Sequence, residues 1–279
     1  MRLVQGEDND LPTLSVVIKK IICVASDQNA TTQDLAGVIA YDQGMTNKLL
    51  KLSNSAYYSQ KTKVETVKRA ISVIGFDEII GIALGMEIFS GLFKTSGSNL
   101  DLKKMWFHGI GVAIASKEIA RLVTPGLANQ VFIPAILHDM GKVFFLVYFR
   151  SEYRKVWQFA KKGKKKLYWS ENAVFGIDHA KLSGLLMKRW YFPQSIILPC
   201  AFHHSPEVAP TKFRQQAFII NFADYLTQRS GIGHSWNPMP PTLKSLPKEI
   251  GIRQSICKLV IDKLRQKEDG IKEMFDLTL

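Results

Sequence analysis

A chain of 279 residues is long enough for one large domain or two small ones, and its 46% hydrophobic and 22% charged content is that of an ordinary globular protein, which excludes disorder. Three cysteines, Cys23, Cys200 and Cys257, form no CxxC pair; they exclude a zinc finger and read as reduced, mostly buried thiols of a cytoplasmic protein. The net charge of +13 raises nucleic acid or a membrane surface as partners until it is located along the chain.

Met1 to Asp10 carries three acids and no apolar core, so it does not read as a signal peptide. Leu11-Pro12 is placed as the opening of the first helix, and Thr31 with Asp34 three residues on predicts a capping box. Apolar residues then recur at helical offsets: Leu35, Val38 and Ile39; Met45, Leu49 and Leu52; Val67, Ala70, Ile71 and Ile74. Gly75 stops the last of these before Phe76. The most lipid-like run, Ile79 to Phe93, is interrupted by Glu87 and falls short of the ~20 residues a membrane span needs, so a soluble protein is expected. The polar stretch Thr95-Ser96-Gly97-Ser98-Asn99 divides an N-terminal helical part, residues 1–94, from a second part, residues 99–279.

Beyond that break the spacing predicts longer helices. Leu102 to Leu122 carries His108, and Leu127 to Phe149 carries His138 and Asp139 with a break expected at Pro134. Thr124-Pro125-Gly126 is the turn that lets the two lie antiparallel, so that His108 and His138 face each other. From Arg150 to Lys166 there are eight Lys/Arg and one Glu, a local +7 that is more than half of the net charge. Ser170 to Phe175 follows, then a helix from Asp178 to Trp190 with His179 in its first turn, broken by Phe192-Pro193. Ser195 to Phe202 leads to His203-His204, Phe213 to Thr227 carries Asp224, and Ser235 to Pro247 is an irregular Pro-rich loop. Ile252 to Phe275 reads as one amphipathic helix that packs back on the body.

His138 and Asp139 put an imidazole and a carboxylate side by side, with Lys142 on the same helical side three and four residues later. Alone such a pair is more often a satisfied core histidine, but five of the six histidines join one ordered set: His108, His138, Asp139, His179, His203, His204 and Asp224. Helical bundles build metal sites by converging donors from separate helices. Nitrogen and oxygen donors without thiolate suit iron, manganese, nickel, zinc or cobalt better than calcium. Seven donors exceed one first-row ion and suit two, bridged by Asp139, an arrangement that activates water and clamps a phosphate ester. Asp139 and Lys142 are therefore the candidate catalytic residues, with Lys142 on the open side against the phosphoryl oxygens. His234 reads as a surface residue.

This order resembles the HD superfamily of metal-dependent phosphohydrolases, and the surrounding text is similar to its HDOD branch, the HD-related output domain of bacterial signalling proteins. The carriers are Leu11-Pro12-x-Leu14, Leu49-Leu50-Lys51-Leu52-Ser53-Asn54-Ser55-Ala56-Tyr57-Tyr58 and Ala70-Ile71-Ser72-Val73-Ile74-Gly75 in the first part. In the second they are Trp106-x-His108, Leu137-His138-Asp139-x-Gly141-Lys142 and Phe175-Gly176-x-Asp178-His179-Ala180, leading to Trp190-x-x-Pro193. The resemblance implies an all-α fold, an HD-domain-like helical bundle with an additional N-terminal helical subdomain, in a bacterial cytoplasmic protein. It also implies signalling partners; no receiver domain precedes Leu11, so an input in trans is expected. Where the related HD-GYP phosphodiesterases carry a Gly-Tyr-Pro motif after the histidine doublet, this chain has Ser205-Pro206-Glu207-Val208, which argues against cyclic di-GMP hydrolysis.

Two readings of function stand open. One is a metal-dependent phosphohydrolase acting on a phosphate ester, with nucleotides among the candidates. The other is a signalling or scaffold module whose metal site is structural or vestigial and whose output is a contact with a signalling protein. Nucleic acid is not expected as a partner, because no reading motif is present and few aromatics are interleaved with the lysines.

Overall fold

The structure is a computed structural model that describes residues 14–58, 60–96, 100–239 and 248–278. Among these residues every regular element is helical and no strand occurs, as the periodicity predicts. The first helix, α1 (Val16–Ser26), begins where Ser15 Oγ accepts from Ile18 N, and it buries Ile18, Ile21 and Ile22. Leu11 and Pro12 lie outside the described residues. The capping box forms: Thr31 Oγ1 accepts from Asp34 N and Asp34 Oδ2 accepts from Thr31 N, opening α2 (Thr32–Ala40). Helix α3 (Gln43–Ser53) is capped by Asp42 and α4 (Val67–Ile74) by Thr66, and α4 ends on Gly75 at φ 112°. These short helices bury the stripes read from the sequence, Leu35, Ile39, Met45, Leu49, Leu52, Ala70, Ile71 and Ile74.

Two long helices carry the middle of the molecule, α5 (Phe76–Ser96) and α6 (Leu100–Val123). Neither is long and apolar enough to cross a membrane, and no other single helix is among the described residues. Residues 97–99 of the expected boundary lie outside the described residues, and one continuous apolar core runs from Ile18 to Met274. A turn at Pro125–Leu127 leads to α7 (Phe132–Leu137) and α8 (Met140–Tyr148).

The break expected at Pro134 falls instead at His138-Asp139. Pro134 sits in the first turn of α7, where a missing N–H costs no helical hydrogen bond. The chain then turns at Asp139 (φ −95°, ψ 12°), so the pair sits at a corner between two helices rather than along one.

The basic segment forms α9 (Arg150–Lys162) and the turn after it, followed by α10 (Leu167–Phe175), α11 (His179–Arg189), α12 (Gln194–Ala201) and α13 (Thr211–Ser230). Helix α6 packs on α7 and α13, α8 on α11, and α12 on α7, α11 and α13. The tail is two helices rather than one, α14 (Gln254–Gln266) and α15 (Glu268–Thr278), broken at Lys267. Both pack against α6, and Thr278 Oγ1 accepts from buried Trp106 Nε1 at 3.0 Å. The expectation of mostly buried thiols fails: Cys200 is buried, whereas Cys23 is exposed and Cys257 is half-buried.

Candidate metal centre

The seven side chains named from the sequence meet at this centre. His108 comes from α6, His138 and Asp139 from the α7–α8 corner, His179 from the first turn of α11, His203 and His204 from the end of α12, and Asp224 from α13. Donor atoms of His108, His138 and Asp224 lie within 4.8 Å of one another, as do those of His179, His203 and His204; His138, Asp139 and His203 form a third such group between them. His234 is exposed, as expected.

The imidazoles are aimed by their Nδ1 atoms. His138 Nδ1 is 2.7 Å from Ala135 O, His203 Nδ1 2.7 Å from Cys200 O, and His108 Nδ1 3.4 Å from Ile232 O. A carbonyl can only accept, so in His138 and His203 Nδ1 carries the proton and Nε2 is left as the donor atom for an ion, whereas His108 Nε2 donates to the Asp224 carboxylate and an ion there would take that proton's place. His179 Nδ1 reaches Glu171 Oε2 at 2.6 Å, and the same oxygen accepts from His179 N at 2.9 Å. This arrangement, with each of these four rings held from behind by an oxygen, is the one that orients metal-binding histidines.

The Nε2 atoms point inward at carboxylate oxygens. His108 Nε2 is 2.9 Å from Asp224 Oδ1, His138 Nε2 is 3.4 Å from Asp139 Oδ2, and His179 Nε2 is 3.3 Å from Asp139 Oδ1. His179 Nε2 and His204 Nε2 are 2.7 Å apart. His138 Nε2, His203 Nε2 and Asp139 Oδ1 are buried with no hydrogen-bond partner. Buried polar atoms are nearly always paired, so three orphaned donors facing one volume fit a cation between them.

The electrostatics agree with that fit. Burial holds the His138 and His203 imidazoles below their ordinary range, His203 down to about 3, and burial with the neighbouring His203 does the same to His204. These rings are therefore in the neutral form that a metal requires. Burial works to raise the Asp139 carboxyl, but the Lys142 ammonium, 2.8 Å from its Oδ2, helps to hold Asp139 well below the usual carboxylate range. Burial likewise opposes ionisation of Asp224 and is outweighed by the hydrogen bond from His108. His179 differs: burial disfavours its charge, yet the Glu171 carboxylate holds it up to about 9.

Lys142 does not face an open side. It is buried, with Nζ 2.8 Å from Asp139 Oδ2 and 3.0 Å from Ser235 O. The reason is the loop after α13, which folds over the centre: Gly233, at φ 65°, comes so close that a Cβ there would stand 2.4 Å from His108 N. Trp236 continues the cover by stacking on Tyr153 at 4.9 Å.

Sequence reasoning missed the supports. Glu171 is buried on α10, accepting from Tyr153 Oη as well as from His179. Ser183 Oγ accepts from Gly141 N at 2.8 Å and lies 2.8 Å from His179 O, joining α8 to α11. Gly141 is required there, since a Cβ would stand 2.1 Å from His179 O. The sole local signal was that Glu171 is the one charged residue of α10.

Comparison with known proteins agrees with this fold. The HDOD domain family matches residues 11–206. A crystal structure of an HDOD domain protein with unknown function from Geobacter sulfurreducens superposes with a TM-score of 0.78 at 23% identity, covering 99% of this chain and 97% of that one. A second, from Shewanella amazonensis SB2B and named "Putative phosphohydrolase", gives 0.76 at 18% identity, covering 99% and 98%. An uncharacterized protein of Treponema pallidum (strain Nichols) is 21% identical over 223 residues, 77% of this chain. The chain spans 42% of the length of that relative.

Proposed function

The chain belongs to the HDOD family, and on that premise we propose that its buried histidine and aspartate cluster is the metal centre of a phosphohydrolase acting on a phosphate ester in bacterial signalling. The observation that carries this reading is the pair of orphaned Nε2 atoms, on His138 and His203, aimed with Asp139 Oδ1 into one volume. His108, His138 and Asp224 would hold one divalent transition-metal ion, and His179, His203 and His204 a second, with Asp139 between them. The candidates remain iron, manganese, nickel, zinc and cobalt. When bound, such ions supply an activated water and stabilise charge on phosphoryl oxygens.

The chain's own residues would do the rest. Lys142 fixes the rotamer of Asp139 and compensates its charge before any ion arrives. Glu171 holds His179 in one tautomer, and the loop through Ser235 and Trp236 limits water around the centre. Nucleotides stay among the candidate substrates, and the name of the Shewanella amazonensis structure supports the reaction class.

A second reading, an output module with a structural ion, is favoured by one observation: six of the seven donors and Lys142 are buried, and the seventh, half-buried His204, lines an open groove. Elemental analysis of protein purified without chelator, followed by hydrolysis assays on a panel of phosphate esters, separates the two. The enzyme reading expects bound metal and turnover that Asp139→Ala abolishes. Bound metal without turnover of any ester favours the module.

A further inference from the structure

The lysines between α9 and α10 are not a bare charge run. Lys161, Lys162, Lys164, Lys165 and Lys166 are all exposed, and the helical hairpin folds aromatic rings back among them. Lys161 Nζ lies 5.0 Å from the centroid of Trp157, Lys165 Nζ 5.4 Å from Phe159 and Lys166 Nζ 5.7 Å from Tyr168. In the linear sequence these rings flank the lysine run and look separate from it.

Two rings of the hairpin are turned to solvent. Phe159 is 48% exposed and Trp169, next to Tyr168, is 63% exposed. From Tyr168 and Trp169 an open groove of about 340 Å³ runs past Asn172 and Lys181 to His204 and Ser205. Its one carboxylate, Asp178, is committed: it accepts from Lys181 N and Asn172 Nδ2 and lies 3.8 Å from Lys181 Nζ. The groove itself is balanced, Lys181 against Asp178, so an anionic chain is drawn by the lysines at its edge, where Lys166 lies over Tyr168, and meets ring faces inside.

We propose that this surface binds single-stranded nucleic acid, with bases stacked on Trp169 and Phe159 and phosphates on Lys164, Lys165 and Lys166, the strand directed along the groove toward His204. Charge alone would fit any polyanion, but exposed rings beside lysines add a demand for flat apolar faces, which an unpaired base offers and a duplex hides. The groove has the volume of a small-ligand pocket, enough for one nucleotide unit, whereas the lysines extend the charge well beyond it. The proposal concerns binding and does not depend on whether the metal centre is catalytic.

The test is fluorescence anisotropy with a short fluorescein-labelled oligouridine, run in EDTA on the full chain carrying Asp139→Ala, so that neither metal nor hydrolysis enters the readout. The single strand should bind more tightly than a duplex of equal length. Trp169→Ala should weaken it by about 5- to 150-fold, the range for losing one stacked base. Changing Lys164, Lys165 and Lys166 together to Gln should reduce the slope of log affinity against log salt by about 2. All four side chains are exposed, and circular dichroism of the variants should match the parent. Unchanged binding by Trp169→Ala overturns the proposal. So does equal affinity for duplex or inorganic polyphosphate, or binding to phosphatidylglycerol vesicles in the absence of oligouridine binding.

Discussion

Glu171 Oε2 accepts two hydrogen bonds from His179, one from its backbone N–H at 2.9 Å and one from its Nδ1 at 2.6 Å. One oxygen thus fixes the start of α11 and the tautomer of a candidate ligand together. Glu171→Gln leaves an amide that competes for both roles and carries no charge to hold a proton on His179. Metal affinity, measured by isothermal titration calorimetry, should fall roughly 10- to 100-fold. Affinity equal to the parent's would remove His179 from the ligand set.

Acid and alkali should both destabilise the metal-free protein, each through a different ring. His179 is held up to about 9 against an ordinary 6.5, so its contribution to stability is complete below about 6.5 and is lost as pH rises through about 9. His203, lowered to about 3, contributes above about 6.5 and loses that contribution as pH falls toward 3, with His138 and His204 acting in the same direction. Urea midpoints in EDTA should therefore peak near neutrality and decline on both sides. An ion needs the proton of His179 to leave, so metal affinity should rise with pH up to about 9. A flat midpoint from acid to alkali would contradict the charge states assigned to these rings.

Lys142→Met separates the two charges that can compensate Asp139. Without metal the substitution strands a buried carboxylate and should cost about 3–5 kcal/mol in urea unfolding. With metal bound the loss should shrink, because the ion supplies the missing positive charge. An equal loss in both states would mean that no cation reaches Asp139.

Gly141→Ala places a Cβ 2.1 Å from the carbonyl of His179, and neither backbone can yield without pulling α8 from α11. A loss of about 1–3 kcal/mol or more is expected. Gly126→Ala is the control, since nothing lies within 4 Å of its added Cβ. Comparable unfolding midpoints for the two would show that the α8–α11 approach is looser than described.

The helical fold was legible because its stripes repeat with the period of the helix, and the cluster was legible because its donors are chemically conspicuous. Distance along the chain hid the rest. Glu171 acts through a reversal of direction at Gly176, which takes the left-handed conformation at φ 72°, and Ser183 acts across two helices; neither has a neighbour in sequence that announces its role. Pro134 misled because a proline is disruptive inside a helix and harmless in its first turn, and sequence alone did not fix where the turn began. The rings beside the lysines were missed for a related reason: Phe159 reaches Lys165 by the turn that ends α9 rather than by alternation along the chain.

His138 and His203 share one device. Each ring sits three residues after the carbonyl that holds its Nδ1, at the end of α7 and of α12 respectively. Carbonyls in the last turn of a helix lack full helical partners; Ala135 O and Cys200 O take a long 3.4 Å bond from the backbone N–H of His138 and of His203, and their remaining capacity serves as a gun-mount for the same residue's imidazole. The bearing of each ring is then a property of the helix that bears it, and repacking elsewhere moves ring and mount as one body. Such a centre resists retuning by small side-chain adjustments. It would sort ions by whether they accept a spacing already set by the separation of two helix ends.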